Sequence, residues 1–179
     1  MNGTEKMFYL VRHCQAEGQH PQAGLTVEGR AQADRLARFF GQMEISYIVS
    51  SPYVRAIESI GPTLKQTKLP LETDIRLSER VLGNGHLPDW LEHLEQSFKH
   101  MELKLAGGES GSEAAERGIA AVSAVPHQSI VVTHGNLLAL LLNHWDPSFG
   151  FADWRNLSNP DIFKITHDGQ SAIVERVWN

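Results

Sequence analysis

Met7-Phe8-Tyr9-Leu10-Val11-Arg12-His13 is the stretch that decides the fold. Five apolar residues, a strand's length, stop abruptly at two polar ones. A continuous apolar run of this kind marks a strand covered on both faces, and such strands belong to mostly parallel sheets flanked by helices. In open sheets of that class, sites form beyond the carboxyl ends of the strands. Arg12 and His13 therefore stand where a site would be built.

The rest of the chain repeats the pattern. After a loop at 18–24, Thr26 is a helix cap, and Ala31, Leu36, Ala37, Phe39 and Phe40 give an apolar helical face that Gly41 closes. Tyr47-Ile48-Val49 is a second buried strand, followed by Ser50-Ser51-Pro52 and a helical stripe of Ala56, Ile57, Ile60 and Leu64. Gly61-Pro62 should kink or shorten that helix. Residues 69–75 hold a brief extended segment. Asn84-Gly85 is a turn, residues 88–105 read as helix, and Gly107-Gly108 breaks it before a helix from Ser112 to Val122. Ser129-Ile130-Val131-Val132-Thr133 is a third buried strand ending at His134-Gly135, and an apolar helix covers residues 136–144. Residues 162–166 and 172–177 alternate like strands around the hairpin step Asp168-Gly169. This order predicts a three-layer α/β/α sandwich with a mostly parallel central sheet and an antiparallel edge.

Bulk properties narrow the function. A length of 179 residues suits one domain, here taken as residues 1–179. The formal charge of −5 shows no basic surplus, so no nucleic-acid partner is expected. No apolar run is long enough for a membrane span. Residues 1–6 are polar and run straight into the first strand, unlike a secretory signal. Cys14 is the single cysteine, which excludes an intrachain disulfide and makes a cytoplasmic setting the natural expectation. An anionic substrate would need a local cluster of positive groups.

The strand ends supply such a cluster. They bring Arg12-His13, then Ser50-Ser51 with Arg55 one helical turn on, then Thr133-His134-Gly135-Asn136. Two arginines, two histidines and several helix N-termini suit a phosphoryl group, because guanidinium binds phosphate oxygens bidentately and helix N-termini attract anions. A lone histidine at a strand end is more often structural; the constellation is what makes His13 a candidate nucleophile. Cys14 has no Cys-x5-Arg loop after it and reads as a small packed residue. His86, His93 and His100 recur every seven residues, about 10.5 Å apart on one helix, too far for neighbours to share a metal. The glycine-rich residues 107–112 lack the Lys and Ser/Thr of a nucleotide-binding loop. Trp90, Trp145, Trp154 and Trp178 read as core anchors.

Arg12-His13, Leu25-Thr26-x-x-Gly29, Ser50-Ser51-Pro52-x-x-Arg55-Ala56, Glu79 and Thr133-His134-Gly135, in that order, resemble the histidine phosphatase superfamily, the phosphoglycerate mutase-like family. The resemblance implies that His13 becomes phosphohistidine. Arg12, Arg55 and His134 form the phosphate pocket with it, and Glu79 is the acid that protonates the leaving oxygen and then the base that activates water. Glu72, Asp74 and Glu109 are the other carboxylates that could serve. Where members commonly carry Gly, Glu and Asn after the Arg-His pair, this sequence has Cys14, Gln15 and Gln19. Gln19 and Gly135 are placed with Arg12 and Arg55 among the substrate-phosphate-binding residues. The resemblance also implies a small phosphorylated substrate, no cofactor, no metal, and a substrate-covering insertion at about 80–112 where His86 could touch substrate. The expected activity is phosphomonoester hydrolysis. Mutase-type phosphoryl transfer and a non-catalytic phospholigand-binding module are the alternatives. The sequence leaves substrate identity and oligomeric state open.

Overall fold

A computed structural model describes residues 5–179. Residues 1–4, part of the segment read as lacking a secretory signal, lie outside the described residues. Six strands form one sheet: β1 (Lys6–Arg12), β2 (Tyr47–Ser50), β3 (Leu71–Thr73), β4 (Ser129–Thr133), β5 (Asp161–His167) and β6 (Ala172–Arg176). Their order across the sheet is β3-β2-β4-β1-β5-β6. β1, β2, β3 and β4 pair in parallel, while β5 runs antiparallel to β1 and β6 antiparallel to β5. The mostly parallel sheet with an antiparallel edge is thus as the sequence predicts.

The sheet is covered on both faces because its two central strands, β1 and β4, are apolar at every position between their polar ends. Successive side chains of a strand point to opposite faces. Phe8, Leu10 and Val131 therefore pack into one core with Leu137, Leu138 and Leu141. Tyr9, Val11, Ile130 and Val132 pack into a second with Leu36, Phe40 and Ile60. Helices α1 (Val27–Phe40) and α2 (Val54–Thr67) build the second core; α4 (Gly111–Ala124) and α5 (Gly135–Trp145) build the first. Each fully buried aliphatic side chain contributes about 1.5–3 kcal/mol, which makes these two layers the main stabilising term.

Local chemistry starts and stops the elements. The Thr26 side chain caps α1 by accepting the Gly29 N–H at 2.9 Å. A Cβ on Gly29 would meet the Gln15 carbonyl at 2.0 Å, so glycine lets the first turn of α1 press against the loop after His13. The α4 cap is Ser110, with a reciprocal capping box to Glu113, two residues ahead of the expected start at Ser112.

Three expectations are corrected. Gly61-Pro62 does not shorten α2, which runs unbroken to Thr67. The residue before a proline is normally pushed out of the helical region by a clash with its own Cβ, and Gly61 has none. The long helix expected at 88–105 is the shorter α3 (Trp90–Lys99), so His86 and His100 fall outside it and the three histidines do not share a helix. None of the four tryptophans is buried: Trp90 is 46% exposed, and the others are half-buried. They pack at the rims, Trp178 on Phe39, Trp145 on Phe8, and Trp90 on Trp154 of α6 (Phe151–Arg155). Among the described residues no helix is long and apolar enough to cross a membrane.

Candidate active site

Sheet register brings the site together. Arg12 lies beside Thr133 in the β1–β4 ladder, so the next residue on each strand, His13 and His134, emerge side by side. Their rings are 5.1 Å apart. Ser50 lies beside Val132 on the other flank of β4, which places Ser51 against the same end. Ser51 Oγ is 2.7 Å from His134 Nε2 and also accepts the Tyr53 N–H.

The setting of His13 is asymmetric. Its Nδ1 lies 2.6 Å from the main-chain carbonyl of Cys14. A carbonyl oxygen accepts only, so Nδ1 carries the proton and Nε2 holds the lone pair. That lone pair faces Arg55, whose Nε donates to it at 3.2 Å. Burial pushes the His13 pKa down to about 3, with Arg55 and Arg12 adding to the effect against the Cys14 hydrogen bond. Burial likewise holds His134 well below the usual histidine value, with His13 and Arg55 contributing. Both rings are neutral at physiological pH.

Arg55 stands in the first turn of α2 and is 1% exposed. Its Nη1 donates to the carbonyls of Gln19 and His20, both at 3.1 Å, and its guanidinium lies over the Tyr53 ring. Gln19 thus meets the cluster through its main chain, and its side chain is exposed. Arg12 Nη1 donates to the carbonyls of Leu157 and Ser158. Gly135 opens α5 directly against Arg12, close enough that a Cβ there would lie 2.9 Å from Arg12 Nε.

Glu79 comes from the irregular segment after the 3-10 turn Ile75–Leu77. Its carboxylate accepts three main-chain N–H groups: Arg80 at 2.8 Å, and Asn136 and Leu137 of α5, both at 3.0 Å. A carboxylate has about four acceptor positions, so one remains. The Glu79 charge is felt at Arg12 and Arg55, opposing the lowering that burial imposes on both guanidinium groups. The other carboxylates are placed differently. Asp74 pairs with Arg76, Glu109 pairs with Arg117, and Glu72 is exposed on β3.

Three buried polar atoms in this cluster have no hydrogen-bond partner among the described residues: the acceptor Asn136 Oδ1, and two nitrogens that face the centre of the cluster, Arg12 Nε and His134 Nδ1. An unsatisfied buried polar group costs about 1–3 kcal/mol. An anion between the two rings and the two guanidinium groups is the partner both nitrogens fit.

Cys14 replaces a glycine at no conformational cost, since the non-glycine residues at positive φ among those described are Lys68 and Gln128. Its N–H donates to Ser59 Oγ at 2.8 Å, and burial pushes its thiol up to about 12. Sequence reasoning missed Asn159, whose Nδ2 donates to the His13 carbonyl at 2.9 Å, and Tyr53 under Arg55. The Asn159-Pro160 step carries a turn signal but nothing that points to a site.

A mostly parallel sheet beyond whose strand ends two arginines surround a neutral, tethered histidine is a frame suited to holding a phosphoryl group. The chain belongs to the histidine phosphatase superfamily (branch 1), whose family model matches residues 8–179. A solved mycobacterial glucosyl-3-phosphoglycerate phosphatase in complex with inorganic phosphate is 25% identical, with 97% of each chain covered and a TM-score of 0.75. A phosphoglycerate mutase from Bacillus anthracis is 19% identical over 98% of this chain and 94% of that one, with a TM-score of 0.76. A putative alpha-ribazole-5'-P phosphatase from Escherichia coli is 20% identical over 97% and 96%, with a TM-score of 0.74. No curated protein matches the sequence.

Proposed function

We propose that the protein is a phosphomonoesterase working through a phosphohistidine on His13. The observation that carries this reading is the His13 ring itself: Nδ1 fixed as a donor to Cys14, and Nε2 neutral among Arg12, Arg55 and His134.

In the first step the Nε2 lone pair leaves Arg55 and attacks phosphorus. The P–O bond to the alcohol breaks, and the leaving oxygen takes a proton from Glu79, whose carboxylate has first received that proton from the monoanionic phosphoryl group of the bound substrate. Arg55 and Arg12 turn their N–H groups to the phosphoryl oxygens, whose charge must be neutralised by fixed positive groups. His134 adds Nδ1–H, the tautomer in which Nε2 accepts a hydrogen bond from the Ser51 hydroxyl across the 2.7 Å contact. In the second step Glu79, now a carboxylate, takes a proton from water, the water oxygen attacks phosphorus, and the N–P bond breaks. Free phosphate and the starting form of His13 result. Glu79 is preferred as the acid because Glu109 and Asp74 are committed to ion pairs. Gly135 brings the α5 N-terminus to the phosphate. Gln19 contributes through its carbonyl on Arg55. The chain acts as one domain, with residues 80–112 covering the substrate.

The test is hydrolysis of an aryl phosphate by wild type and His13→Ala at matched thermal stability, with acid quenching to look for an acid-labile, base-stable phosphoenzyme. Loss of turnover and of the phosphoenzyme in the variant supports the reading. Full turnover by His13→Ala overturns it. With phosphoglycerate as substrate, isomer without free phosphate identifies a mutase, and binding without turnover identifies a non-catalytic module.

A further inference from the structure

Residues 78–81, which carry Glu79, belong to no helix or strand, so no backbone ladder fixes them. Apart from the Ser78 N–H on the Ile75 carbonyl and the Glu109 N–H on the Val81 carbonyl, side chains do so. Arg117, on α4, donates Nη1 to the carbonyls of Arg76 at 2.6 Å and Ser78 at 2.9 Å, and Nη2 to the carbonyl of Glu79 itself at 3.4 Å. Its remaining donors go to Glu109, Nε to Oε1 at 2.6 Å and Nη2 to Oε2 at 2.8 Å. A guanidinium has five N–H donors, and all five are engaged here. Glu109 closes the far side by accepting the Val81 N–H at 3.1 Å. Arg80, 5% exposed, donates to the Glu109 carbonyl at 3.2 and 3.4 Å and to Ser97 Oγ at 2.8 Å. The chain is thus gripped immediately before, at and immediately after Glu79.

We propose that the Arg117–Glu109 pair is a positioning device for the Glu79 carboxyl, so that α4 sets the geometry of proton transfer to the leaving group. This rests on the reading of Glu79 as the acid. Arg117 and Glu109 act on Glu79 through the main chain of residues 76–81. A fully exposed ion pair would carry little weight, but both partners are about three-quarters covered and the guanidinium spans three carbonyls. Lysine, with three donors on a flexible stem, cannot reproduce that fork.

The test compares kcat/KM for two substrates: a nitrophenyl phosphate, whose alcohol leaves with little help from an acid, and a primary alkyl phosphate, whose alcohol needs the proton. A general acid contributes about 10²–10⁴-fold where it is needed, and a misplaced group about 1 Å off loses on the order of 10²-fold. Glu79→Gln is expected to depress the alkyl phosphate far more than the nitrophenyl one. Arg117→Lys and Glu109→Gln are expected to shift the same ratio in the same direction, by roughly tenfold or more. Partial unfolding lowers both rates equally and leaves the ratio unchanged, so the ratio separates positioning from mere stability. If Glu79→Gln shifts the ratio and the two positioning variants do not, the inference is overturned while the acid assignment stands. If Glu79→Gln itself leaves the ratio unchanged, the acid assignment fails and the inference with it.

Discussion

The main-chain carbonyl of Cys14 lies 2.6 Å from Nδ1 of His13. This contact connects a buried backbone group to the chemistry of the ring, because it chooses the tautomer. It also has a thermodynamic consequence. The unfolded chain protonates this histidine near pH 6.5, whereas the folded protein holds it neutral down to about 3. The unfolded state therefore binds more protons throughout that window, and stability falls as pH drops below about 6.5. Urea unfolding at pH 7 and pH 5 should show a loss for wild type that His13→Asn reduces by on the order of 2 kcal/mol. Equal losses in the two proteins would refute the burial account.

Gly135 leaves room for the guanidinium of Arg12. A Cβ would sit 2.9 Å from Arg12 Nε, closer than real contacts allow, and a tight 3.0 Å from Cζ and Nη2. Gly135→Ala should move Arg12 and weaken inhibition by inorganic phosphate roughly tenfold or more, about 1.4 kcal/mol. The thermal midpoint should change little, since alanine favours a helix. Calorimetric titration with phosphate measures this directly, and unchanged affinity would mean that Arg12 is not part of the pocket.

Cys14 is fully buried with its thiol pushed up to about 12, which leaves negligible thiolate at neutral pH. The native protein incubated with iodoacetamide at about pH 8 should remain unmodified and keep the proposed activity; reaction should appear only after unfolding. Cys14→Gly should keep turnover and lose about 1–2 kcal/mol of stability through the small cavity it leaves. Rapid labelling of the folded protein with loss of activity would contradict both statements.

Asp161, with no exposed surface, pairs with Arg176 at 2.6 and 3.0 Å and accepts the Ser158 N–H at 2.9 Å. That turn presents the Leu157 and Ser158 carbonyls to Arg12, and Asn159 to His13. Arg176→Ala should cost about 1–3 kcal/mol, less than for a fully buried pair because the Arg176 side chain is 42% exposed. Urea denaturation measures it. A change below about 0.5 kcal/mol would show that the pair contributes nothing beyond a surface contact.

What the chain declares locally can be read from single stretches. The run Met7-Phe8-Tyr9-Leu10-Val11 is apolar at every position and so specifies a strand covered on both faces; Arg12 and His13 mark its carboxyl end. Thr26 announces the start of α1 in the same way, because capping and periodicity act over a few residues. The sequence by itself thus determined the sandwich, the strand ends and the group of residues that meet there. The tertiary structure alone decided the rest. Neither the tautomer of His13 nor the grip of Arg117 on the Glu79 segment has a short-range pattern. Asn159 reaches the His13 carbonyl across 146 residues. Helix α3 ended early and the tryptophans stayed at the rims, because both depend on which surfaces the packed sheet leaves free. Arg12 and His13 were visible as a polarity break; only the register of β1 against β4 set His13 beside His134, where a phosphoryl group could bridge them.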